Sequence, residues 1–197
     1  MQRSLVGSEM CIRDSMNIIV AVDSEWGIGY KGDLLARVKE DLQNFARLTT
    51  GKTVILGSNT LATFPGGRVL KDRRNIVLNP DPEYAPTGAV VVHSLEELFA
   101  KLEELKRDGL CSEDIFVIGG ASVYRQLLPY CDRAYITEFR RSFDKDVWFP
   151  NLDELPEWHL IVTSELHTGK YRGAGGVEGE ISFVFKEYKK DETVLPA

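Results

Sequence analysis

Cysteine, histidine and long apolar runs are all scarce in this chain of 197 residues. Its three cysteines, Cys11, Cys111 and Cys131, have neither paired nor metal-like spacing, so the expectation is reduced thiols in a cytoplasmic protein rather than a disulfide scaffold. His93, His159 and His167 stand apart beside β-forming residues, and no two are spaced as ligands of one ion. Each is expected to be structural or solvent-facing, and no metal site is expected. No apolar run approaches the ~20 residues that cross a bilayer, which argues against a membrane protein. Basic charge is short as well: 24 lysines and arginines against 30 acids leave a net charge of -6, the wrong sign for a general nucleic-acid surface.

What is present reads as one globular domain. The length is enough to bury a core, and apolar content of 43% with charged content of 27% is ordinary for such a domain. Residues 1–15 lack both the apolar core of a signal peptide and any helical periodicity. They read as an extension outside the fold, with Met16 as the natural start, a domain over 16–190 and a tail over 191–197.

The chain is organised around Ile115 to Tyr124, IFVIGGASVY, where an unbroken apolar run meets two glycines and then turns helical. Such a run predicts a strand covered on both faces. Glycines at its carboxyl end let backbone lie against a flat or anionic ligand; the alternative is a tight strand-to-helix turn. Asn17–Val22 and Lys52–Gly57 predict further buried strands. Ser58-Asn59-Thr60 follows the second as a candidate helix cap and makes another anion-receptive corner. Gly27, Gly29 and Gly32 formally match the dinucleotide fingerprint, but four mostly polar residues separate them from the strand and no helix follows directly. A mobile glycine-rich loop over a site is the reading preferred here.

From Val38 the spacing of Val38, Leu42, Phe45 and Leu48 predicts a helix with an apolar face. Asp41 falls on or beside that face, where an unpaired carboxylate is unfavourable. Either local amides, Lys39 or Arg37 satisfy it, or it serves a ligand. Strands are predicted at Asn75–Asn79, Ala89–Val92 and Ala134–Phe139. Ser94–Lys106 reads as an amphipathic helix opened by a Ser-x-x-Glu capping box. Alternation of strands and helices implies a mostly parallel sheet. His159–His167 and Glu180–Tyr188, across a glycine-rich link, read as an antiparallel pair at the sheet edge. The predicted class is therefore α/β: a single domain with a mostly parallel twisted sheet, flanking helices and an antiparallel carboxyl-terminal pair.

With these pieces placed, residues 16 to about 190 resemble the dihydrofolate reductases. The matching segments are IVAVDSEWGIG, EDLQNF, GKTVILGSNT, RRNIVL, IFVIGGASVY, LPYCDRAYIT and DKDVWFP, in family order and spacing. The resemblance implies NADPH-dependent reduction of dihydrofolate by a monomer, with NADH as a weaker alternative. It makes Asp41 the catalytic acid that holds the pteridine ring, with Thr137 supporting the same end. Ile19, Ala21, Leu42, Phe45, Phe64, Leu70 and Ile118 become substrate walls, Tyr124 lies near the nicotinamide, and Arg73 grips the glutamate tail. Gly119 and Gly120, joined in the family by a cis peptide, let the cofactor approach beside Ala121, Ser122 and Val123. Gly57, Asn59 and Thr60 form its phosphate-side loop, and Ser58, Gly29, Leu78, Asn79 and His93 complete the cofactor-binding set. Leu35-Ala36 stands where many members have Pro-Trp, and Ser58 and Ser122 replace two arginines that usually meet the ribose 2′-phosphate. The expected preference for NADPH is correspondingly narrow. A related reductase of a riboflavin-pathway pyrimidine intermediate, or a binding module without turnover, would be the alternatives.

Overall fold

The computed structural model describes residues 16–173 and 176–191. The readings of residues 1–15 as an extension and of the tail beyond Asp191 lie outside the described residues. In chain order the first half comprises β1 (Met16–Val22), β2 (Gly27–Tyr30), β3 (Asp33–Leu34), β4 (Ala36–Val38), α1 (Lys39–Thr49), β5 (Thr53–Gly57), α2 (Ser58–Ala62), β6 (Arg74–Leu78) and β7 (Val90–Val92). The second comprises α3 (Leu95–Arg107), β8 (Ile115–Gly119), α4 (Ala121–Leu127), β9 (Cys131–Phe139), β10 (Val147–Trp148), β11 (Trp158–Thr163), β12 (His167–Gly173) and β13 (Glu178–Lys190).

The apolar runs become interior strands because both of their faces are covered. Alternate residues of β1, β5 and β8 go to opposite layers: Ile18, Ile55 and Val117 pack with Leu98 and Leu102 of α3, while Ile19, Val54 and Phe116 pack with Phe45 and Leu48 of α1. Leu98 and Leu102 are fully buried, each contributing about 2 kcal/mol by leaving water. The sheet order is β4-β12-β13-β9-β1-β8-β5-β6-β7, with β11 paired to β13 off this path. From β9 to β7 the neighbours run parallel, and from β9 to β4 they run antiparallel. The predicted class holds, with β8 inside the parallel part of the sheet between β1 and β5.

Four local expectations are corrected, and a fifth holds only in part. The glycine-rich stretch after β1 is no loop: β2 and β3 form a hairpin whose turn residues Lys31 and Gly32 both have positive φ, and β2 also pairs with β10 in a small second sheet. Helix α2 is capped by Gly57, without a side-chain bond, so Ser58 lies in its first turn. On α1, Leu42 is 46% exposed, because the first half of that helix overlies a cleft instead of the core. The carboxyl-terminal pair is partitioned differently: β13 is one long strand, pairing with β12 along its first half and β11 along its second. Since β9 occupies its other edge, β13 is interior. The Ser94 cap holds, accepting from the Glu97 amide at 3.2 Å, but the Glu97 carboxylate takes the His93 amide (2.8 Å) instead of the Ser94 one.

Candidate active site

Parallel strands end together, and their carboxyl ends leave a crevice where ligands bind. Here the ends of β1, β5 and β8 open on a cleft of about 710 Å³, roofed by α1 and by the β2–β3 hairpin. A wider depression of about 880 Å³ lies beyond α1, against β12 and β13, but its lining is largely long surface side chains and it holds no buried acid. The cleft is therefore the candidate site.

Asp41, in the first turn of α1, faces the cleft beside Leu42 and Phe45. Burial pushes its pKa up to about 6, and a hydrogen bond with the Thr137 hydroxyl offsets part of that rise. Arg37 does not satisfy it, being held by Asp33 through two bonds of 2.6 and 3.1 Å. No ion pair to Asp41 occurs among the described residues. Tyr124 is a neutral wall: its hydroxyl donates to the Ile19 carbonyl at 2.8 Å, and burial, with the Asp41 charge, raises its pKa.

At the end of β8 the Gly119–Gly120 peptide bond is cis and Gly119 has φ 128°. A Cβ on either glycine would lie 3.1 Å from the Thr60 hydroxyl, so bare backbone is what fits between β8 and α2. Around it the cleft gathers the sequence-predicted Ile19, Ala21, Gly29, Gly57, Ser58, Asn59, Thr60, Phe64, Leu78, His93, Ile118, Ala121, Ser122 and Val123.

Four of the predicted residues are not on the lining. Thr137 is buried on β9 beneath Asp41. Leu70 joins the apolar cluster that also holds Phe45 and Phe64. Asn79 is a turn residue, its carbonyl facing His93 Nδ1 at 2.9 Å and its side chain accepting from the Asp81 amide. Arg73 stands behind Phe45, 5.8 Å from the ring centroid, donating from Nε to Thr49 Oγ1 (2.9 Å) and from Nη1 to the Lys71 carbonyl (2.8 Å).

The sequence reading missed the hairpin wall: Ile28, Leu34, Leu35 and, from β10, Val147 all line the cleft. It also missed what holds that wall. Asp23, after β1, takes amides of Glu25 and Gly27 on one oxygen and the Phe143 amide on the other. Lys145 Nζ lies 2.6 Å from both Asp23 and Glu25, with its side chain 7% exposed. Burial alone would raise the Asp23 pKa, but Lys145 and the three amides outweigh it and hold the carboxyl below its usual range. The network fastens the start of the hairpin to the segment that precedes β10.

A family model described as dihydrofolate reductase matches residues 15–177. The dihydrofolate reductase of Heliothis virescens is 36% identical over 189 residues, covering 89% of this chain and 97% of that protein. That of Bacillus subtilis is 35% identical over 152 residues, 76% of this chain and 83% of the other. A solved structure of dihydrofolate reductase from Enterococcus faecalis, complexed with NADP(H) and RAB-propyl, superimposes with a TM-score of 0.71 at 28% identity, covering 91% of this chain and 98% of its own. The family model, the relatives and the solved structure agree along most of the sequence, and the chain belongs to the dihydrofolate reductase family.

Proposed function

We propose that this chain reduces 7,8-dihydrofolate to tetrahydrofolate with NADPH, in support of one-carbon metabolism. The observation that carries this reading is Asp41, a carboxyl with pKa about 6, turned into an otherwise largely apolar cleft and backed by Thr137. A carboxylate there accepts two parallel hydrogen bonds from the amino-pyrimidine edge of a pterin, which fixes the ring in one orientation. Ile19, Phe45, Phe64 and Ile118 line the same space and exclude water from the ring. The dinucleotide, when bound, supplies the hydride. Asp41 aids placement of the proton on the ring nitrogen, beside the carbon that takes the hydride.

The residues present fit the nicotinamide and pyrophosphate of such a cofactor. Bare backbone at Gly119–Gly120 lets a flat ring approach, and the first turn of α2 brings Asn59 and Thr60 to the lining as neutral hydrogen-bonding partners. Arg73 would hold the substrate's glutamate carboxylate at the outer end, behind Phe45. No observation favours a riboflavin-pathway pyrimidine substrate. The proposal includes a single folded domain over 16–190 and a monomer acting in the cytoplasm. Cys111 and Cys131 are both free, and among the described residues no helix is long and apolar enough to cross a membrane.

Oxidation of NADPH, followed by its absorbance, should begin when dihydrofolate is added and should require both. Binding of each ligand without turnover would favour a binding module instead.

A further inference from the structure

Nicotinamide dinucleotides come in two forms that differ at the adenosine ribose, one with a 2′-hydroxyl and one with a 2′-phosphate. The phosphate carries close to two negative charges and is held best by arginine. The cleft contains no lysine or arginine among its lining residues; its charged side chains are Asp33 and Asp41, with His93 cationic only when protonated. Wherever the ribose lies along it, the lining offers that phosphate no permanent cation. With the nicotinamide beside Asp41 and the Gly119–Gly120 peptide, we place the adenosine half where Ser58, Pro80, His93, Ser122 and Gln126 contribute to the lining.

The contacts there are suited to a hydroxyl. Gln126 Nε2 donates to Ser122 Oγ (3.0 Å) and to its carbonyl (3.2 Å), which leaves the Ser122 hydroxyl hydrogen as one neutral donor. Pro80 has no amide hydrogen. His93 Nδ1 faces the Asn79 carbonyl, which can only accept, so in the neutral ring Nδ1 carries the hydrogen and Nε2 keeps a bare lone pair. A bare lone pair accepts from a ribose hydroxyl and repels a phosphate dianion. The His93 backbone amide is already taken by Glu97.

We infer that this cleft discriminates weakly between the two forms, binding NADH within about tenfold of NADPH, and that Ser58, Ser122 and His93 set the ratio. This rests on the reductase reading above. The test is direct titration of the ligand-free protein with NADPH and with NADH, following the fluorescence of the reduced nicotinamide, with no substrate present. Dissociation constants within about tenfold are expected. Ser58→Arg should tighten NADPH by about tenfold or more while NADH moves far less, and Ser122→Arg, at an exposed position, provides the same test if the first variant folds poorly. NADPH binding more than about a hundredfold tighter in the unmodified protein, or no gain from either arginine, would overturn the inference and assign the phosphate to a rim cation such as Arg68 or Arg125. Failure to bind either dinucleotide would overturn the reductase reading itself.

Discussion

Two aspartates, one serving each wall of the cleft, are removed from bulk water and titrate in opposite directions. Asp23, fastening the hairpin wall, is held below its usual range by Lys145 and three backbone amides. Asp41, on the helix wall, is raised to about 6 with the Thr137 hydroxyl as its hydrogen-bond partner. The first has every requirement met within the protein and is a structural anchor. The second is under-satisfied, which is the condition of a group that awaits a ligand. The walls differ in the same sense. The helix wall rests on a parallel sheet buried on both faces, whereas the hairpin is joined by short ladders of two or so residues per strand and by the Asp23 network.

The largest expected effect is on the anchor. Lys145→Ala leaves the Asp23 carboxylate buried without its cation, and breaking such a pair from one side is worth about 3–5 kcal/mol. The retained amides put the expectation near the lower figure, measured as a drop in denaturant midpoint. Asp23→Asn combined with Lys145→Met should recover part of the loss. Lys145→Ala within about 1 kcal/mol of the unmodified protein would mean that the ladders alone hold the hairpin, and the contrast between the walls would lose its basis.

Asp41→Asn comes next. Asparagine keeps the size but presents a donor where a pterin also donates, so turnover should fall by more than about tenfold, a loss above about 1.4 kcal/mol of transition-state stabilisation. Unchanged turnover would remove Asp41 from the mechanism and leave it a second anchor.

That the helix wall was legible in the sequence and the hairpin wall was not has a physical cause. Burial on both faces writes a continuous apolar run, so β1, β5, β6 and β8 could be placed to within a residue or so from composition alone. Asp41 could be read as an acid interrupting an apolar stripe. By contrast, Lys145 stands among charged residues, DKD, and reads as solvated surface; only the docking of two distant segments makes it buried. Strand partners are equally silent: His159–His167 has strand character throughout, yet it breaks after Thr163, because β11 and β12 pair with different halves of β13. Only the family resemblance puts Thr137 at the Asp41 end, since no local pattern links β9 to α1.

The same substitution at Asp41 should act on stability with the opposite sign. A folded pKa near 6 against about 3.9 unfolded means that the native state binds more protons than the unfolded one between those values. The ligand-free protein therefore loses stability as pH rises through that window and does not regain it above. Asp41→Asn should stabilise the ligand-free protein at pH 8 by about 1–2 kcal/mol after allowing for solvent in the cleft, which raises the melting temperature by a few degrees for a domain of this size. At pH 4 the difference should nearly vanish. Asp23, with its lowered pKa, contributes the other way, its stabilisation fading only as pH falls below the usual carboxylate range. Equal melting at both pH values would show that Asp41 is as well satisfied as Asp23.

The smallest effect expected is at Arg73, where the helix wall meets solvent. Its guanidinium is already oriented by Thr49 and the Lys71 carbonyl and lies over Phe45, so its remaining N–H groups are held in one direction; under the proposed function they meet the glutamate carboxylate of the substrate. An ammonium at the same position keeps the charge but offers no paired, coplanar donors. Arg73→Lys should raise the Michaelis constant for dihydrofolate several-fold, worth about 1 kcal/mol, and leave kcat within about twofold. Binding of a pterin without the glutamate tail should hardly change, because nothing at the Asp41 end depends on the guanidinium. Equal weakening of both ligands, together with a lower melting temperature, would mean that the bonds to Thr49 and Lys71 are the purpose of Arg73, and would place it with Lys145 among the anchors.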